Sequence, residues 1–396
     1  MKPKNNRFAF SIVIAISLII FSFLPSTGVN KKDEFPLNDP PFWSRLVSQY
    51  LKDDLWENGE AYDAANVLMI PMFYSFYSED DEKINEFSAH FGRFLNSNCS
   101  GFLDIDHSEE LNRLQYLYLM SRFFAMASQN QKEYLIPQGL PEYVRNEIAI
   151  LWSEKPAKWY GGMIFDGGVV DRLNWKLSQD ETEKKYYKAI ADHELFLFAI
   201  AADIRIYDIY LNRDNDPLIT EILDYSYRTM KQYGKHIEND GWTFQPGIWS
   251  DHGDYLYAGN YEINENMQPL PVDGIAEDSS HSHRWPVWLM SLADASCSDN
   301  ERYNYYLDLR DKLENQFFNK VVVLPNDDFS CYRMNNFMDG NNGVYRYGYA
   351  TQGANNGYGP YELSGTLIAG WWGFSVPKGQ INCIKKLRDV FLWLIM

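Results

Sequence analysis

Helical periodicity constrains this chain more than any other feature. In "ERYNYYLDLRDKLENQFF", residues 301–318, Tyr306, Leu309, Leu313 and Phe317 recur at intervals of three and four, with Asp308, Arg310, Asp311 and Lys312 between them. That spacing places the apolar side chains on one face of an amphipathic helix. "LNRLQYLYLMSRFFAMA" repeats the pattern through Leu111, Leu114 and Tyr118, whereas "DHELFLFAIAADIRIYDIY" is apolar on nearly all sides and predicts an inner helix. Similar segments lie near 41–56, 60–77, 81–95, 140–152, 217–234, 284–295, 361–372 and 381–395. Pro71 is expected to kink or end its helix, because it lacks the N–H that the helix needs. Strand signals are few, the clearest being "KVVVLP" at 320–325. The expected class is all-α dominated.

The first residues speak to compartment. Lys2, Lys4 and Arg7 precede an apolar run from Phe8 to Leu24, no acid occurs before Asp33, and Pro25, Ser26 and Gly28 follow the run. Residues 1–28 therefore read as a secretory signal peptide, with an N-terminal membrane anchor as the alternative. Both readings export the body of the protein to the periplasm or the outside. No Ser- or Pro-rich linker divides the remainder, so 29–396 reads as one domain. A ring of helical hairpins would extend a core of this size without deepening it.

Loss of that segment would remove three basic residues and no acid, taking the net charge from −18 to −21. A chain so acidic does not hold nucleic acid, or an anionic membrane, through its overall field. A membrane partner is expected only if the N-terminal segment is retained. Cys99, Cys297, Cys331 and Cys383 match no zinc spacing, and no metal or other cofactor motif is present. In an oxidising compartment Cys297 and Cys331 have the option of pairing.

Aromatic residues make up 16% of the chain. Tyr and Trp join an apolar face to a polar tip, which suits wet grooves and the C–H faces of sugar rings. They concentrate, with Gly, Asn and Asp, in three segments read as loops: 159–175, 240–283 and 332–361. Long loops in a compact domain tend to carry function, and their shared composition predicts that they converge on one face.

Each loop supplies candidates. The first offers Asp166. In "DGWTFQPGIWSDHGDYLYAGNYE", Trp242, Trp249, Tyr255 and Tyr257 are stacking surfaces, with Asp251, His252 and Asp254 between them. Downstream, "AEDSSHSHRWP" gathers Glu277, Asp278, His281, His283 and Arg284 ahead of Pro286. Proline fits the first turn of a helix, so this stretch is a loop entering a helix that starts around His283 to Trp285. Glu277 and Asp278 are explained by capping and the helix dipole; the histidines and Arg284 are not. A metal reading needs a third ligand such as His252 or Asp254, and no recognised spacing connects them. The third loop contributes Asn335 and Arg346, which donate to hydroxyls and carboxylates, and Glu362 at a helix start.

Helix pairs carrying aromatic, Gly- and Asn-rich loops on one face resemble the (α/α) toroid carbohydrate enzymes: inverting glycoside hydrolases, unsaturated-uronyl hydrolases, uronate epimerases and polysaccharide lyases. The resemblance is one of architecture and implies a poly- or oligosaccharide as partner. Two mechanisms follow from it. Hydrolysis needs one carboxylic acid and a second carboxylate, here drawn from Asp251, Asp254 and Asp278, with Asp166 and Glu362 further options. β-Elimination or epimerisation at a uronate needs a base and enolate-stabilising donors. Tyr255 or Tyr257 and His281 or His283 are its candidates, with Arg284, Asn335 and Arg346 about the carboxylate. A non-catalytic glycan-binding or polysaccharide-assembly protein on the same scaffold is the third expectation.

Overall fold

The computed structural model describes residues 43–57, 59–97, 101–103, 107–237, 240–349 and 352–375. The expected export segment at 1–28, the expected helix at 381–395, Cys99 and Cys383 lie outside the described residues. Helices dominate: α1 (Glu60–Tyr77), α2 (Asp81–Asn96), α3 (His107–Gln129), α4 (Leu140–Ala149), α5 (Gly168–Leu177), α6 (Asp192–Tyr210), α7 (Pro217–Tyr233), α8 (Trp285–Ala295) and α9 (Asn300–Gln316). Helix starts are written locally. Asp80, Asp216 and Asp299 each cap a helix by accepting a backbone N–H two or three residues ahead, a contribution of about 1 kcal/mol apiece.

The apolar stripe of α9 is buried as its spacing predicts, with Tyr306, Leu309, Leu313 and Phe317 all in the core. The segment around Leu114 differs from expectation. From Leu114 to Ser128, α3 is buried on every side, because its polar residues are satisfied internally: Arg122 pairs with Asp203 of α6 at 3.0 Å, and Ser121 donates to the same carboxylate at 2.9 Å. Helix α6 is buried as its composition predicts. Pro71 does not end α1, which continues to Tyr77. Val67, whose carbonyl loses its helical partner, sits on the exposed side, where that loss costs least.

Helix α3 packs against α1 and α6, and α6 against α8. The turns at Trp371–Phe374 lie on α8 and reach α1, where the Trp371 indole donates to the Asn66 carbonyl at 3.1 Å. There Phe374 also meets Phe73, ring centroids 4.5 Å apart. Helices α2, α4, α7 and α9 pack on the other sides of this set. Strands are short antiparallel pairs: β1 (Ala157–Lys158) with β2 (Ile164–Phe165), β3 (Gly234–Ile237) with β4 (Gly241–Phe244), and β5 (Val322–Val323), inside the expected "KVVVLP" strand, with β6 (Arg333–Met334).

The segment 159–175, expected as loop, becomes helix α5 from Gly168 onward. Gly168, at φ +79°, lies so close to α4's extension that a Cβ there would come within 2.5 Å of the Trp152 carbonyl. The buried face of α5 carries Arg172 and Lys176, which both bind the buried Glu194 at 2.8 and 2.6 Å. That pairing hides a core-facing helix behind charged residues. Cys297 and Cys331 do not pair with each other; both are free thiols.

Candidate active site

The three loops meet. Backbone bonds knit the second to the third: Ser279 N–H to the Asn336 carbonyl at 2.8 Å, Met338 N–H to Glu277 at 2.9 Å, and Arg346 N–H to Asp254 at 2.9 Å. Gly343 permits this approach, since a Cβ there would fall 1.7 Å from the Ala258 carbonyl. The first loop joins through Tyr160, whose ring lies edge-on to His252 at 5.4 Å. Between them opens a cavity of about 460 Å³.

Trp159 and Tyr160 come from the first loop, Trp249, His252, Asp254, Tyr255, Glu277, Asp278 and His281 from the second, and Tyr345 and Arg346 from the third. The N-terminus of α6 adds Asp192 and His193, and α8 adds Trp285 and Trp288. Of the candidates drawn from the sequence, Asp254, Asp278, His281, Trp249, Tyr255 and Arg346 line this cavity, as does His252, named there as a possible metal ligand.

The others do not. Asp251 accepts the backbone N–H groups of Lys185 and Tyr186 at 2.8 and 3.3 Å, tying down a neighbouring turn. Tyr257 packs on Tyr347, centroids 4.6 Å apart. Trp242 is core, edge-on to Trp285 at 5.2 Å. Asn335 donates to the Lys320 carbonyl at 2.8 Å, Asp166 is exposed in the turn before α5, and Glu362 accepts the Gly359 N–H at 2.7 Å. His283 is buried behind the site, its Nδ1 accepting the Trp371 N–H at 3.1 Å. Burial, with the Arg284 charge beside it, holds its pKa well below the usual imidazole value. Arg284 is 1% exposed and also reaches no ligand space. It holds Asp192 from behind and donates to the Tyr62 hydroxyl at 2.8 Å and to Gln115 at 3.1 Å.

Asp278 organises the floor. Its Oδ2 accepts the hydroxyls of Tyr255 and Tyr345 at 3.1 and 3.0 Å. Oδ1 accepts the N–H groups of Ser280 and His281 at 3.1 and 3.0 Å, and the Ser280 hydroxyl. His281 Nδ1 stands 2.9 Å from both oxygens. Burial alone would raise this carboxyl, but the His281 charge and hydrogen bonds, with Arg346, hold it well below the usual carboxylate range. Both oxygens are therefore occupied, and Asp278 is an anchor that orients His281 rather than a group free to attack. Its main-chain carbonyl accepts the Ser282 N–H at 3.2 Å at the start of the turn Ser282–Arg284 that leads into α8, and Pro286 stands in the first turn of α8.

Glu277, expected near a helix dipole, instead faces the cavity. Gln245 Nε2 donates to its Oε1 at 2.8 Å, and the Trp285 indole donates to its Oε2 at 3.1 Å. Burial pushes its pKa up to about 8; the two donors work against that, and the charges of Asp192 and Asp278 add to it. Gln245 is itself held at φ +39°, rare for a residue with a side chain, and its amide also bonds both ways to the Ile190 backbone, at 2.8 and 2.7 Å. Strain of this kind collects at functional sites.

Asp254 accepts from Arg346 Nε at 2.9 Å, and Arg346 adopts φ +55°. His252, ringed by Tyr160, Tyr186 and Trp249, accepts the Asp254 N–H on Nδ1 at 3.2 Å. Burial lowers its pKa below the usual imidazole value. Its neutral form thus carries the proton on Nε2.

Sequence reasoning passed over Glu277 and Asp192. Glu277 had been absorbed into capping, and Asp192 opens a helix where an acid is ordinary. Asp192 accepts from Arg284 on Oδ2, and its Oδ1 makes no hydrogen bond among the described residues. Among those residues no group of three or more His, Cys, Asp or Glu is placed to hold a metal ion, and no helix is long and apolar enough to cross a membrane. Comparison with protein-family models, curated proteins and solved structures finds no match for the chain.

Proposed function

We propose that this chain is an exported carbohydrate-active enzyme that hydrolyses glycosidic bonds of a poly- or oligosaccharide, on an (α/α) toroid scaffold. Supporting the scaffold are the contacts that run from α1 through α3, α6 and α8 to Trp371–Phe374 and back to α1. Supporting the substrate are the indole and phenol faces of Trp159, Tyr160, Trp249 and Trp288 around one cavity.

The observation that carries the chemistry is Glu277. A carboxyl whose pKa is pushed up to about 8 keeps its proton at neutral pH, while the carboxylate of Asp192, in the same cavity, is paired with Arg284. A protonated acid in the same cavity as a carboxylate held by an arginine is the kind of pair that glycoside hydrolysis requires. Glu277 protonates the leaving oxygen as the glycosidic C–O bond breaks. Asp192, steadied from behind by Arg284, takes the proton of a water that attacks the anomeric carbon through its free Oδ1. His281, aimed by Asp278, and His252 Nε2–H are placed for the ring hydroxyls.

The test is a screen of oligosaccharides for new reducing ends with the parent, Glu277→Gln and Asp192→Asn. Turnover by the parent that both variants lose supports the reading. Binding without cleavage by any of the three proteins supports a glycan-binding protein instead.

A further inference from the structure

We infer that the cavity selects an uncharged saccharide and rejects a uronate. The inference rests on reading the cavity as the sugar site, and it follows from an account of every cation around that site. Among the described residues, Arg346 is the one guanidinium that lines the cavity. Its Nε pairs with the Asp254 carboxylate at 2.9 Å, its main-chain N–H donates to the Asp254 carbonyl at 2.9 Å, and its Cζ lies 5.2 and 4.6 Å from the ring centroids of Tyr345 and Tyr349. Arg284 is buried behind Asp192 and divided among Asp192, Tyr62 and Gln115. Lys176 stands behind the Trp159 ring, 3.2 Å from its centroid, and is bound to Glu194.

The imidazoles add no cation that stands away from a carboxylate. His281 gives Nδ1 to Asp278 at 2.9 Å, His193 Nε2 lies 3.7 Å from Glu110, and burial keeps His252 towards its neutral form. Against these stand Asp192, Asp254 and Asp278. A uronate entering here would leave water and, among the described residues, meet only cations already paired with a carboxylate, a cost that neither the aromatic walls nor the hydroxyl contacts offset. The chain's net charge of −18 opposes its approach as well. A neutral pyranose meets the opposite situation. Its hydroxyls donate to Asp192 and Asp254, accept from His252 Nε2–H and from the Glu277 carboxylic acid, and its C–H faces lie on the indoles.

The test measures binding of full-length protein by calorimetry to two sets of matched length: neutral oligosaccharides (cello-, xylo-, manno- and N-acetylchito-oligomers) and oligouronides (oligogalacturonate and oligoalginate). At least one neutral oligomer is expected to bind, with every oligouronide weaker by roughly tenfold to a hundredfold, the size of an unmet charged group. Asp254→Asn, which releases Arg346, is expected to narrow that gap. A second readout needs no variant: affinity for the preferred ligand should not change with ionic strength. An oligouronide that binds the parent as tightly as the best neutral oligomer, an affinity that falls steeply with salt, or no binding by either set overturns the inference. The two readings fail separately. Oligouronide cleavage that Glu277→Gln abolishes would sink the selectivity and leave hydrolysis standing. A neutral oligomer that binds selectively but is cleaved equally by parent and Glu277→Gln would uphold the selectivity and sink the hydrolytic roles.

Discussion

The indole N–H of Trp285 donates to Glu277 Oε2 across 3.1 Å. Trp285 is the first residue of α8 and is packed edge-on against Trp242 and Trp288, so the core itself fixes the position of the Glu277 carboxyl in the cavity. Under the proposed hydrolysis, the consequences for activity follow from that fixed carboxyl.

Replacing Glu277 by Gln keeps the shape and the Trp285 bond but removes the proton donor. Hydrolysis should fall roughly a hundredfold to ten-thousandfold, with the circular dichroism spectrum and ligand affinity retained. In the parent, activity should decline as pH rises through about 8, where Glu277 loses its proton.

Stability carries the same group's signature. Glu277's folded pKa is raised, so the folded state binds its proton more tightly than the unfolded chain does. That contribution is complete below the unfolded carboxyl value and is lost as pH rises through about 8. Thermal unfolding at increasing pH should therefore cost the parent more than Glu277→Gln between these limits.

Asp278 shows the opposite sign. Its folded pKa is depressed, so its stabilisation is present above the ordinary carboxylate range and disappears as pH falls below it towards the folded value. Asp278→Asn should lose on the order of 3 kcal/mol at neutral pH, because an amide presents N–H groups to some of the donors now aimed at both oxygens. Urea unfolding of parent and variant should converge as the solution is acidified.

Gln245 links Glu277 to the Ile190 backbone from a left-handed conformation. Gln245→Gly relieves the backbone but removes a donor that favours the charged carboxylate, so the alkaline limb of the activity profile should move upward. Loss of activity with an unmoved limb would make Gln245 a scaffold residue only.

Arg284→Met leaves Asp192, Tyr62 and Gln115 without their shared donor. Destabilisation on the order of 3 kcal/mol is expected in denaturant titration. Arg284→Lys should recover only part of it, since one ammonium does not span three partners in a fixed fork.

Much of this was legible in the residues. The stripe of α9, the apolar girth of α6 and the entry into α8 at Pro286 were read from spacing alone. The aromatic, Gly-rich composition of the three loops anticipated that they meet. What spacing concealed was charge paired inside the fold: α3 and α5 look surface-like because Arg122, Arg172 and Lys176 find buried carboxylates in α6. The same blindness exchanged the roles of neighbours. Asp278, His281, His283 and Arg284 were all candidates in one short stretch, yet Asp278 and His281 line the cavity while His283 and Arg284 brace it from behind. Glu277 was passed over because its raised pKa arises from burial in the folded cavity, to which the charge of Asp192, far along the chain, adds.

The central claim is that Glu277 holds a proton at neutral pH inside the cavity. Infrared difference spectroscopy of the parent against Glu277→Gln tests it without a substrate. A protonated-carboxyl band that is present at neutral pH, absent from the variant and titrating near about 8 is the predicted result. The absence of that band at neutral pH, with Glu277 contributing only to the carboxylate region, would contradict the account.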